Sequence, residues 1–112
     1  DIASCALASD EIVKFPEITG LVVTADIMAA GIIRGLRSHG KSVPDDISVV
    51  GFDDINIAQL ITPALTTIHQ DMNLKGRLAV EYMLQLLAGK HPESTNITLP
   101  TRLVIRDSVK EL

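Results

Sequence analysis

Aromatic residues, cysteine and positive charge are all scarce in this chain, and each shortage removes a class of explanation. There is no tryptophan, one tyrosine and two phenylalanines. The core must therefore be built from aliphatic side chains, a composition compatible with α/β layering. The single cysteine, Cys5, cannot form a disulfide within the chain, which fits a reducing, cytoplasmic compartment. Lysine and arginine number 10 against 14 acidic residues, for a formal net charge of -4. A surface that tracks nucleic-acid phosphates carries the opposite imbalance. Any DNA contact of the whole protein is expected to lie outside these residues. No apolar run reaches the roughly 18 residues needed to span a membrane, and no signal peptide is visible. The sequon Asn96-Ile97-Thr98 is a common chance match.

Catalytic motifs are also missing. The sequence has no Gly-x-Ser-x-Gly elbow and no glycine-rich phosphate cradle. His39, His69 and His91 are scattered without metal-ligand spacing, and Cys5 sits among small residues as inert packing would. No enzyme, cofactor or metal is expected. The paired acids Asp45-Asp46 and Asp53-Asp54 are explained more simply by two turns than by a cation site.

What is present is 112 residues of which 46% are apolar, enough for one packed domain or part of one. Residues 2 to 14 read as a helix stopped by Pro16. Gly20 to Thr24 reads as a buried strand. Asp26 is placed to cap a helix with Met28, Ile32 and Leu36 on one face and Gly40 as its stop. Ile47 to Gly51 is a second strand, so a βαβ unit is expected, with a parallel sheet flanked by helices. A loop from Phe52 to Pro63, a short strand at Leu65 to Ile68, and a helix capped by Asp71 and ended by Gly89 and Pro92 follow. Two strand-like pieces, Ile97 to Leu99 and Arg102 to Ile105, are broken by Pro100 in the manner of an edge or a crossover.

In an open parallel sheet, ligands bind beyond the carboxyl ends of the strands. Two such ends are Thr24-Ala25-Asp26 and Gly51-Phe52-Asp53-Asp54. A carboxyl group there can accept hydrogen bonds from a small polar ligand. Asp53 and Asp54 can equally be turn residues, and Phe52 either offers an apolar face to a ring or belongs to the core. Asp26 reads as a cap rather than a ligand contact. The acid pattern departs from that of phosphoacceptor receiver domains, since the pair follows a second strand and the last strands offer no lysine.

Four blocks then carry a family likeness. The run KSVPDDISVVGFDD ending at Asp54, the run TPALTTIHQ from Thr62 to Gln70, the segment Thr24 to Gly31 (TADIMAAG) and the tail Leu99 to Ser108 (LPTRLVIRDS) occur in order. Together they resemble the LacI/GalR family of bacterial transcription regulators over roughly residues 20 to 108. The resemblance implies the C-terminal part of an effector-binding, periplasmic-binding-protein-like type I core. Residues 1 to 70 and 101 to 112 would belong mainly to one lobe, and residues 71 to 100 would supply a helix and strand of the other.

The likeness also implies roles. Asp53 and Gln70 would contact an effector in the cleft between lobes, with Phe52 beside them. Ala25 stands where the family often has an effector-binding asparagine, which puts a standard sugar contact in doubt. A sugar remains the expected effector, and a purine the other class. Dimerisation would use Ala29, Ala30 and Ile33, then Ile57, Leu60 and Ile61. Operator DNA would be bound only through a helix-turn-helix absent from this chain. A solute-binding protein of a sugar transporter is the alternative with the same lobes. On either reading 112 residues cannot close the full cleft, so a partner segment, a rearrangement or a swap is expected.

Overall fold

The computed structural model describes residues 2–91 and 96–111. The expected helix stop at Pro92 lies outside the described residues. In chain order the elements are α1 (Ile2–Ile12), β1 (Gly20–Val22), α2 (Asp26–Ser38), β2 (Ser48–Asp53), α3 (Ile57–Leu60), β3 (Thr66–Gln70), α4 (Met72–Leu87) and β4 (Thr101–Val104). The sheet runs in the order β1-β2-β3-β4. Its first three strands are parallel, and β4 returns antiparallel along β3. The mixed α/β layering expected from the βαβ pattern is therefore present.

The core lies between the sheet and α2, with α1 packed outside α2. Ala29, Ile32, Ile33 and Leu36 of α2 meet Val49 of β2 and Leu65, and Cys5 closes the α1 side. The spacing of those four α2 residues is that of one helical face. Ser9 fixes α1 by donating to the carbonyl oxygen of Ile32 at 3.3 Å. Gly31 is required at the crossing, because a Cβ there would lie 2.7 Å from Cys5 Cβ.

Several boundaries differ from the sequence expectation. Strand β2 runs on through Asp53, because parallel pairing of Phe52 with Ile68 and of Asp53 with His69 continues the ladder past Gly51. The loop expected from Phe52 to Pro63 contains the short helix α3, which buries Ala58 completely. The residue before α2 is Ala25, and it makes no side-chain cap. Asp26 is instead the first helical residue. Ile97 to Leu99 forms no strand, leaving β4 as the single strand of the tail among the described residues. The α4 expectation is met more closely. Asp71 caps the helix by accepting from the Leu74 N–H at 2.8 Å, and Gly89 follows it with φ 69°.

Past β4, Ser108 stitches the tail to two strands at once. Ser108 is fully buried; its hydroxyl donates to the Val49 carbonyl oxygen at 2.6 Å and accepts from the Thr66 N–H at 2.8 Å. It thereby bridges β2 and β3. Helix α4 is the opposite case, for it buries no residue at all. Met83, Leu84, Leu86 and Leu87 are 55% to 77% exposed, so the helix stands away from the core. The radius of gyration is 17.8 Å, against about 13 Å for a compact domain of this size. Among the described residues, no helix is long and apolar enough to cross a membrane.

Candidate functional site

The carboxyl edge of the sheet is assembled around Asp26, which has no exposed surface. Its Oδ1 accepts from the Thr67 hydroxyl at 2.5 Å and its Oδ2 accepts from the Ile55 N–H at 2.9 Å. One side chain at the start of α2 thus holds β3 and the turn that leaves β2. Gly51 makes this possible, since a Cβ there would overlap Asp26 Oδ1 and lie 2.7 Å from Leu65 Cδ2. The sequence showed Asp26 only as a helix cap. Its partners lie 29 and 41 residues away, and no local spacing reveals them.

The turn itself has an unusual backbone. Asp53 has φ 108° and Asp54 has φ 56°, both in the region that disfavours L side chains. Such geometry persists only where the surroundings over-determine it. Asp54 supplies part of that determination. Its Oδ1 accepts from Arg106 Nη2 at 2.6 Å, and its Oδ2 lies 2.9 Å from His69 Nδ1. Arg106 also donates through Nη1 to the Leu65 carbonyl oxygen at 2.9 Å. Burial pushes the Asp54 carboxyl up, but the hydrogen bonds and charge of Arg106 and His69 outweigh it and hold the group below its ordinary 3.8. Asp54, Arg106 and His69 therefore lock the turn.

Asp53 is left for something else. It is half-buried, and its Oδ1 accepts from Gln70 Nε2 at 2.5 Å. Gln70 Oε1 in turn accepts from Lys75 Nζ at 3.3 Å. The two polar residues the sequence assigned to the edge, Asp53 and Gln70, are thus in direct contact. Phe52 is half-buried on β2 and, one residue from Gly51, points to the opposite face of the sheet from it. Ala25 lies immediately before Asp26, half-buried and extended, with no polar group to offer. A hollow of about 350 Å³ opens beside this edge, with Gln70, Asp71, Lys75, Thr98, Leu99 and Thr101 in its lining. That is the lower end of the range of small-ligand sites. Among the described residues, no group of three or more His, Cys, Asp or Glu is gathered as a metal site.

A second hollow, about 390 Å³, lies between α2 and α3, with Ile27, Ala30, Ile33, Arg34, Ile57 and Ile61 in its lining. Ile27 is 58% exposed and Leu60 77% exposed beside it. Ala29, which the family likeness placed on the same surface, is turned into the core at 0% exposure, while Ile33, 4% exposed, lines the hollow from the core side.

Residues 3–109 match the family described as periplasmic binding protein-like domain. This chain belongs to that family. Within it, the similarity is to LacI-type regulators. A repressor of Vibrio campbellii named HTH-type transcriptional repressor PurR is 36% identical over 110 residues, covering 97% of this chain and 33% of that protein. A LacI family regulator from Arthrobacter sp. FB24, solved in complex with lactose, superposes with TM-score 0.80 at 35% identity over 97% of this chain and 42% of that one. The lac repressor dimer bound to operator and an anti-inducer superposes with TM-score 0.81 at 36% identity, covering 95% of this chain and 37% of that one. This periplasmic binding protein-like chain therefore spans about a third of the length of the curated relatives it matches.

Proposed function

We propose that this chain is the metabolite-sensing and dimerising C-terminal part of a cytoplasmic LacI-type repressor. The observation that carries the reading is Asp53, held by Gln70 on a strained turn at the carboxyl edge of the sheet. A carboxyl group that the fold spends strain to present, with Oδ2 left to accept further bonds, suits the hydroxyl groups of a sugar. A purine, whose ring N–H groups are also donors, is the other class to screen. The relatives are repressors, which weighs against a transporter's solute-binding protein.

The mechanism needs no covalent step. Ligand favours one arrangement of two lobes, and the dimer transmits that arrangement to DNA-binding heads upstream. Residues 1 to 70 and 101 to 112 form one lobe on this reading, and residues 71 to 100 belong to the other. The exposed apolar face of α4 supports the division, because it calls for a cover that the described residues do not provide. The hollow at Ala30, Ile57 and Ile61, with Leu60 at its rim, is the part of the dimer surface open to a partner. Ala29 and Ile33 would support it from beneath.

A thermal-shift screen of the complete protein against sugars, sugar phosphates and purines tests this reading. A ligand at 100 times its dissociation constant is expected to stabilise by about 2.7 kcal/mol, and Asp53→Ala to abolish the shift. If the shift survives the substitution, Asp53 is a turn residue only.

A further inference from the structure

Lys75, an exposed residue, lines the hollow beside Gln70 together with the carboxyl group of Asp71. Lysine has donors only, so its contact with Gln70 requires the amide oxygen to face Nζ and the amide nitrogen to face Asp53. The result is a row in which Lys75 donates to Gln70 and Gln70 donates to Asp53. A neutral amide oxygen at 3.3 Å is a weak partner for a full charge. Among the described residues, no carboxylate lies within 4.0 Å of Lys75. The carboxyl groups nearest in the sequence and at the edge each take another donor, Asp53 keeping its Oδ2 open. Asp71 accepts from the Leu74 N–H, Asp54 from Arg106 with His69 beside it, and Asp53 from Gln70. Closing a second lobe over this hollow would take the ammonium out of water, and an unpaired buried charge is strongly unfavourable.

We propose that Lys75 selects an effector bearing an anionic group, a carboxylate or a phosphate, beside the hydroxyls that Asp53 reads. The inference rests on the sensing role of this edge and names the class of sugar it takes. An anion opposite Lys75 turns the cost of closing the cleft into a charge-assisted pair, while Thr98 and Thr101 line the same hollow with hydroxyls. A neutral sugar leaves the ammonium with Gln70 alone.

The test is calorimetric titration of the complete protein with matched probes. These are D-gluconate and D-glucose 6-phosphate against D-glucose, D-ribose 5-phosphate against D-ribose, and hypoxanthine as a neutral purine. One anionic probe is expected to bind about tenfold to hundredfold tighter than its neutral counterpart, and raising the salt should narrow the gap. Whether gluconate or the phosphates bind best separates a carboxylate from a phosphate effector. Lys75→Met should erase the difference between each anionic probe and its neutral counterpart, and Lys75→Arg should retain it. The inference is overturned if a neutral probe binds as tightly, or if Lys75→Met keeps the anionic preference. In either case loss of binding in Asp53→Ala still upholds the sensing role. If no probe of any class binds, the sensing role itself fails and this inference with it.

Discussion

Arg106→Met is expected to lower the stability of the regulatory core by roughly 3 kcal/mol, the scale of breaking a largely buried ion pair from one side. The side chains of Asp54 and Arg106 are 9% and 15% exposed, so neither can turn to water without the tail moving. Methionine fills much of the arginine's length but leaves Asp54 Oδ1 without its donor. It also frees the Leu65 carbonyl oxygen that Nη1 satisfied. The loss should carry a pH signature. Because Asp54 titrates below 3.8 in the folded chain, folding favours its ionised form. That contribution is complete above 3.8 and disappears as pH falls through the lower folded value. In the variant, burial is opposed by His69 alone, so stability should begin to fall at a higher pH. Urea unfolding of the complete protein between pH 3 and pH 7, a range that brackets the ordinary carboxylate values near 4, reads both effects. Equal midpoints for wild type and variant would show that the turn is held by something else.

Gly51→Ala is expected to cost about 3 kcal/mol or more and to weaken effector binding together with stability. The new methyl group would overlap Asp26 Oδ1 and meet Leu65 Cδ2. Neither neighbour is free to retreat. Leu65 and Asp26 have no exposed surface, and Asp26 is fixed by Thr67 and by the Ile55 N–H. Relief therefore requires Asp26 to leave one of its donors unsatisfied or β2 to shift. Either movement displaces Asp53, two residues along the same strand. Denaturant unfolding paired with ligand titration checks this. A variant that unfolds like wild type would mean that Asp26 is not clamped, and unchanged affinity would mean that the turn is positioned without it.

These two sites also mark how far the sequence could be read. Features written in local spacing were legible. Ile32 and Leu36 of the α2 stripe (but not Met28, which is 42% exposed), the Asp71 cap with Gly89 at the far end of α4, and the βαβ order all follow from periods and turn residues within a few positions. Asp53 could be placed at the edge because parallel strands align their carboxyl ends, and Gln70 was joined to it only by the family likeness. Asp26, Arg106 and Ser108 could not be given their roles. Their hydrogen bonds span 29 to 59 residues, and each was compatible with a bland local reading as a cap or a tail residue. The extension of β2 through Asp53 was hidden for the same reason, since pairing with β3 overrides the turn preference of a Gly-x-Asp-Asp run. Lys75 escaped notice because its meaning depends on which end of an amide faces it. Ala29 reads as a surface residue from family likeness, whereas its helical phase points it inward.

The central claim is that ligand bound at Asp53 alters operator binding elsewhere in the complete protein. Operator affinity of that protein, titrated with and without the ligand found by thermal shift, tests it most directly in wild type and Asp53→Ala. Wild type is predicted to change its operator affinity by about 5- to 150-fold, the usual range of allosteric coupling. Asp53→Ala is predicted to bind operator normally without ligand and to show no change with it. An equal shift in both proteins, or ligand binding that leaves operator affinity untouched in wild type, would contradict the account.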